Sequence, residues 1–192
     1  SRLVMKFGGT SVADLERIRR VGRLVAAEVA AGHQVCVVVS AMAGKTNELV
    51  AWTDGAGPAA PGIAPSDDEY DAVVASGENV TAGLMALTLQ EMGVPARSWQ
   101  GWQVPLHTNS THGAARIESI DTTRLVQKFG EGLHAVIAGF QGISPEGRIT
   151  TLGRGGSDTS AVAFAAALGA ERCDIYTDVD GIFTADPRVV PR

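Results

Sequence analysis

Apolar residues recur along this chain in two alternating rhythms. Leu3 to Phe7 and Val35 to Val39 are short, nearly continuous apolar runs, the pattern of strands buried on both faces. Between them Leu15, Ile18, Gly22, Val25 and Val29 recur at helical spacing. Ser11 reads as the N-cap of that helix, with Asp14 in the capping-box position, and Gly32 as its stop. The same alternation continues. A short polar helix follows Ser40 to Gly44. Residues 54–66, rich in Gly, Pro and Ala, form a surface loop, and Asp67-Asp68-Glu69 restarts helix with a break near Gly77. The next helix runs from about Glu78 to Met92. Arg97 to Trp102 and His134 to Gly139 read as strands, and Asp121 as the cap of a helix through Phe129. An alanine-rich helix spans Thr159 to Leu168 with Gly169 as its stop, and Cys173 to Thr177 is a further strand. Residues 103–119 fit neither rhythm.

Strands alternating with helices predict an α/β fold, a three-layer α/β/α sandwich around a mainly parallel sheet. Ligands of such sheets bind beyond the carboxyl ends of the strands. Gly8-Gly9, Ser40-Ala41, the chain from Gly139 and Thr177-Asp178 all fall at such ends.

Composition narrows the picture. The 192 residues suit one domain, 45% hydrophobic and 19% charged. A net charge of −5 argues against nucleic acid as a partner. No apolar run approaches the ~18 residues of a membrane span, and the amino end has no signal-peptide pattern, so no membrane association and a cytoplasmic location are expected. Cys36 and Cys173 lie in strand patterns and read as small core residues.

The first candidate chemistry is Lys6-Phe7-Gly8-Gly9-Thr10-Ser11. A strand, a double glycine and a helix start make a phosphate cradle, because glycine lets the backbone approach and the first helical amides lack internal partners. Lys6 adds a full positive charge. A second glycine cluster, Gly153-Arg154-Gly155-Gly156-Ser157-Asp158, lies far along the chain. Two such loops in one domain point to phosphoryl transfer. Asp158 reads either as the N-cap of the following helix or as a group that organises Lys6 or a Mg²⁺-bound phosphate. Arg154 suits bidentate binding of a carboxylate. Glu78, at a helix start, is uninformative alone.

Other motifs are rejected. Ala43-Gly44-Lys45-Thr46 imitates the end of a Walker A loop, but Val39 stands where that motif needs glycine. Gly153-Arg154-Gly155 fails the dinucleotide pattern at Asp158. His107 and His112 read as solvated loop histidines without an acidic partner, and no metal site is expected. Trp52, Trp99 and Trp102 read as packing residues.

Taken together, Lys6-Phe-Gly-Gly-Thr-Ser11, Val39-Ser-Ala-Met42, Ser76-Gly-Glu78, Gly139-Phe-Gln-Gly142, Thr151 to Asp158 and Thr177 to Arg188 resemble the aspartate kinases of the amino acid kinase superfamily, in the family's order and over nearly the whole chain. The resemblance implies transfer of the γ-phosphate of ATP to the side-chain carboxylate of L-aspartate, an early step toward lysine, threonine and methionine, with Mg²⁺ bound through the nucleotide phosphates. It assigns Lys6, Gly8 and Gly9 to the transferring phosphate and Ser40 to the nucleotide phosphates. Glu78 takes the ammonium of aspartate, and Arg154, with Gly155 and Gly156, its α-carboxylate. Ser157 meets both substrates, and Asp158 organises the catalytic lysine. Thr177, Asp178, Phe183 and Arg188 form the nucleotide loop, Phe183 standing where the family often has Tyr. Aspartate kinases continue past the position of Arg192 and carry paired ACT domains. Residues 1–192 are thus expected to be an incomplete catalytic domain without its ACT domains, acting as a homo-oligomer or with an ACT-containing chain. Two other readings stay open: another amino acid kinase, and a non-catalytic nucleotide-binding module of the same fold.

Overall fold

The structure, a computed structural model, describes residues 1–58, 60–63, 66–153 and 155–177 and the backbone of 182–185. Its spine is a six-stranded sheet. β1 (Arg2–Phe7) lies at the centre, parallel to β2 (Gln34–Val39) on one side and to β9 (Arg172–Tyr176) on the other. β6 (His134–Ala138) continues the sheet beside β2, and β3 (Ala96–Trp99) closes that edge, both parallel. The far edge is β10 (Ile182–Ala185), antiparallel to β9. The predicted α/β/α sandwich with a mainly parallel sheet is therefore what forms.

The strands read as apolar runs because both faces are covered. Leu3, Met5 and Phe7 of β1 enter one core with α1 (Leu15–Ala30) and α4 (Ser76–Glu91), through Ile18, Val25, Met85 and Leu89. Val4 points the other way, into a second core with α5 (Thr123–Gly130) and α6 (Gly156–Leu168), through Leu125, Phe129 and Phe164. The two-residue period of a strand thus commits Lys6 to the α6 face of the sheet.

Several boundaries differ from the sequence reading, each for a local reason. Gly9–Val12 is a 3₁₀ turn, and α1 starts at Leu15 with Asp14 as its N-cap, accepting from the Arg17 amide at 2.8 Å. Ser11 is buried in the turn and caps nothing, because Asp14 is the better acceptor one turn before Ile18. α6 begins at Gly156 rather than Thr159, since Gly155 takes a left-handed φ of 69° that turns the chain into the helix early. Asp158 therefore sits inside the first turn and is not the N-cap. The segment near Gly77 breaks at Ala75, between α3 (Asp67–Val74) and α4. Gly77 lies so close to Ala41 that a Cβ there would fall 2.9 Å from the Ala41 Cβ.

The sequence reading also contains no second sheet. β5 (Ile117–Ile120), β4 (Leu106–Thr108), β7 (Gln141–Ile143) and β8 (Ile149–Thr151) form one in that order, mostly antiparallel. Runs of three or four residues are too short to display a period. Of the tryptophans, Trp99 packs in the core while Trp52 and Trp102 are exposed.

Asp67–Glu91 taken as one segment is long and apolar enough to cross a bilayer by length and composition, but 56% of its most apolar window is buried inside the protein. Together with the break at Ala75, this makes α3 and α4 core helices of the sandwich. Both cysteines are free and buried, and burial pushes the Cys173 thiol up to about 11 and the Cys36 thiol higher still.

Phe164 is completely buried in the second core. We expect Phe164→Ala to cost about 3–5 kcal/mol in denaturant unfolding, and Leu87→Ala, on the exposed face of α4, to stay within about 0.5 kcal/mol. Similar losses from both would disprove the two-core description.

Candidate active site

A cavity of about 540 Å³ opens at the carboxyl ends of β1, β2 and β6. This is the end of a parallel sheet where loops converge and where neighbouring helices point their amino termini. Its described walls come from Lys6 and Gly9 after β1, from Ser40 to Gly44 after β2, and from Gly153 and Gly155 to Asp158 at the start of α6. Glu78 of α4 and Phe140 after β6 complete much of the rest.

Lys6 and Asp158 meet here. Strand alternation turns Lys6 toward α6, and the early start of α6 puts Asp158 in the turn facing it. Their Nζ–Oδ1 distance is 2.8 Å, with the lysine side chain 11% exposed and the aspartate 52%. The pair leaves the ammonium beside Gly8, where a Cβ would sit 3.4 Å from Nζ. Gly9 comes so close to the β2 loop that a Cβ would lie 3.0 Å from the Ala41 carbonyl oxygen. Gly9 thus allows close packing of the β1 and β2 loops, and the segment after it is a 3₁₀ turn instead of the expected α-helix.

Glu78 is the second unusual group. It is 2% exposed, and one carboxylate oxygen accepts from the Ala41 amide at 3.2 Å. The other, Oε2, has no hydrogen-bond partner. Burial raises its pKa to about 7, against the smaller opposing effect of its own amide and that of Ala41. A desolvated carboxylate with one free oxygen, lining a cavity, is a socket for a cation that brings N–H donors.

The cavity gathers most of the residues singled out from sequence: Lys6, Gly9, Ser40, Glu78, Gly155, Gly156, Ser157 and Asp158. The Ser40 amide is fixed by the Phe7 carbonyl at 3.1 Å, and Ser157 packs against Gly139, whose Cβ position lies 3.0 Å from the serine Oγ. Gly8 stands just behind the wall, under Lys6. Thr177 is exposed at the end of β9 and is not among the described wall residues. Arg154, Asp178 and Arg188 lie outside the described residues, as does the side chain of Phe183.

Three contributions were not read from sequence. Thr46 and Asn47, in the first turn of α2 (Lys45–Gly55), line the cavity although the Walker-like motif around them is false. Their signal was position, directly after the end of β2. Phe140 holds a left-handed φ of 72° and packs its ring over Gly156, where a Cβ would approach Cδ2 to 2.6 Å. His112 does have an acidic partner, which corrects its reading as a solvated histidine. Its Nδ1 lies 2.7 Å from Oδ2 of Asp71, a carboxylate with 0% exposure on α3. Forty-one residues separate the two, so no local spacing reveals them.

Comparison with known proteins agrees with this fold. The model of the amino acid kinase family matches residues 1–192. The chain is 48% identical over 190 residues to an aspartokinase of Rickettsia bellii, covering 99% of this chain and 46% of that protein. Among solved structures, aspartate kinase from Synechocystis superposes with a TM-score of 0.77 at 46% identity, covering 100% of this chain and 31% of that one. Escherichia coli aspartokinase III in complex with aspartate and ADP (R-state) superposes with a TM-score of 0.82 at 33% identity, covering 99% of this chain and 52% of that one. The chain thus spans about half the length of the curated relatives it matches. Matched along its whole length, and with its cavity at the carboxyl ends of its parallel strands, the chain belongs to the amino acid kinase family.

Proposed function

We propose that the chain is part of an aspartate kinase and contributes the first portion of its catalytic domain, which transfers the γ-phosphate of ATP to the side-chain carboxylate of L-aspartate. The observation that carries this reading is one cavity holding both the Lys6–Asp158 pair and the half-partnered Glu78. The first suits a transferring phosphoryl group and the second an amino group. The similarity to aspartokinases, one of them solved with aspartate and ADP, supports the same pair of substrates.

A free aspartate side chain has a pKa near ~3.9 and is ionised at neutral pH, so no general base is required. One carboxylate oxygen attacks the γ-phosphorus, the bond from that phosphorus to the β–γ bridging oxygen breaks, and ADP leaves with the electron pair. The task left to the protein is to hold two anions in line and to offset their charge. Lys6 neutralises the phosphoryl oxygens, and Asp158, paired with it at 2.8 Å, keeps its ammonium aimed. Gly8, Gly9 and Ser40 bring main chain to the phosphates, and Ser157 stands between the two substrates. Glu78 takes the ammonium of aspartate. Arg154, with Gly155 and Gly156, takes the α-carboxylate, and Thr177, Asp178, Phe183 and Arg188 take the nucleotide.

Among the described residues no cluster of three His, Cys, Asp or Glu side chains is placed to hold a metal. Mg²⁺ would be carried on the nucleotide phosphates, with the half-exposed Asp158 of the cavity wall the acid that would face it. When bound, the ion supplies charge neutralisation on phosphate oxygens. The same reading extends to a cytoplasmic enzyme on the route to lysine, threonine and methionine, working as a homo-oligomer or with ACT domains.

The test is an acyl-phosphate (hydroxamate) assay on the intact protein. Aspartate-dependent product is expected, and nucleotide binding without turnover would refute catalysis. Lys6→Ala should lower kcat at least about 100-fold while KM for aspartate changes less than about threefold; the reverse pattern would remove Lys6 from the chemistry. Glu78→Gln should raise KM for aspartate about 10- to 100-fold with little effect on kcat, as loss of a charged hydrogen bond implies. Because an ionised Glu78 is what attracts ammonium, aspartate affinity should rise as pH increases through about 7, and Glu78→Gln should abolish that dependence.

Stability moves the opposite way. A carboxyl raised from 4.5 to about 7 on folding costs the ligand-free protein about 3 kcal/mol as pH climbs across that interval. Glu78→Gln should therefore raise Tm at pH 8 and leave it unchanged near pH 4. An equal change at both values would contradict the buried, ionising carboxylate.

A further inference from the structure

We propose that Asp71, which lies outside the cavity wall, is the positioning residue that sets the distance between the two halves of the amino-acid pocket. This rests on the kinase reading and adds to it. Asp71 has 0% exposure and every acceptor position of its carboxylate is in use. Oδ2 takes Nδ1–H of His112 at 2.7 Å and the Thr151 amide at 3.0 Å. Oδ1 takes the Thr151 hydroxyl at 2.7 Å, and the Gly113 amide lies 3.1 and 3.2 Å from the two oxygens. A carboxylate is acceptor-only with about four lone-pair sites, so this donor set matches it and no other side chain of its size. It also fixes the His112 tautomer, since Nδ1 must carry the proton it donates.

Asp71 and its partners lie in three segments far apart in sequence, at 71, 112–113 and 151, with the Ala115 amide to the Thr151 carbonyl at 3.0 Å and Arg148 to Asp68 at 2.9 Å running alongside. Asp71 lies on α3, which runs into α4 and Glu78 across the break at Ala75. Gly113 forms part of the cavity wall, in the chain between β4 and β5. Thr151 ends β8, immediately before Leu152 and Gly153, which with Gly155 and Gly156 also form wall. One buried carboxylate therefore ties the helix that carries Glu78 to the loop that opens α6. On the kinase reading these are the ends that receive the ammonium and the α-carboxylate of aspartate. On the same reading the nucleotide phosphates are assigned to Lys6, Gly8, Gly9 and Ser40, and neither tie involves those residues. Loosening Asp71 should spread the two amino-acid contacts and leave nucleotide binding intact, because a displacement of an ångström at a binding group is enough to lose one to two orders of magnitude.

Three variants of the intact protein test this. Asp71→Asn turns an NH₂ group toward existing donors, and KM for aspartate should rise at least about tenfold with KM for ATP within about threefold. Thr151→Val removes only the hydroxyl, and KM for aspartate should rise about three- to fivefold; Thr151→Ser should return it to within about twofold of wild type. Amide hydrogen exchange at 112–113 and 151–153 in the ligand-free protein should quicken in Thr151→Val and not in Thr151→Ser. Thr151→Val with unchanged exchange there, or with KM values for aspartate and ATP rising equally, overturns the proposal whether or not Asp71→Asn folds. A wild-type protein that forms no acyl phosphate refutes the kinase reading instead, and the exchange comparison still decides whether Asp71 couples the two segments.

Discussion

The two-residue period of β1 is the constraint on which the site depends. Leu3, Met5 and Phe7 must face α1 and α4, because that is where they lose water. Val4 and Lys6 must then face α6. At the carboxyl end of the strand, the next inward position on that side is no longer filled by a hydrophobic neighbour but by the first turn of α6. A lysine can be buried there only because Asp158 meets it. A slip of one residue in β1 would send Lys6 into the apolar core and Phe7 toward the cavity, so fold and charge placement are a single requirement.

Electrostatically the cavity holds two acids in opposite conditions. Asp158 is half-exposed and has a cation at 2.8 Å. Glu78 is stripped of water and given one amide. On the proposed reading the two carboxylates divide labour, one aiming the Lys6 cation and the other receiving the ammonium of the substrate. The glycines around them keep Cβ atoms out of the way, at Gly9 against Ala41 and at Gly156 against Phe140.

What could be read from the sequence follows the range of the signals involved. The central strands and α1, α4 and α6 announce themselves through runs of five or more residues with one period. The Lys6 and Gly153–Asp158 loops announce themselves because glycine next to charge is rare without a reason. The small sheet did not, since β4, β7 and β8 are three residues each and draw their stability from partners far along the chain. Ser11 misled because Ser-x-x-Asp satisfies the capping pattern while Asp14 wins the hydrogen bond. His112 misled because its partner is supplied by topology alone. Local pattern reports what neighbours do; the meeting of Asp71, His112 and Thr151 is a property of the folded chain.

The unpartnered oxygen of Glu78 has a consequence for selectivity on the proposed reading. A dicarboxylic acid of the same length but without an amine presents a C–H where the ammonium would be, and leaves the Glu78 oxygen without a donor. Rejection of such an acid requires no steric barrier, because the desolvation of Glu78 goes unrecovered whenever the guest cannot donate. A pocket with one unsatisfied acceptor is thereby more discriminating than a well-satisfied one, at the expense of being an uncomfortable setting for a carboxylate.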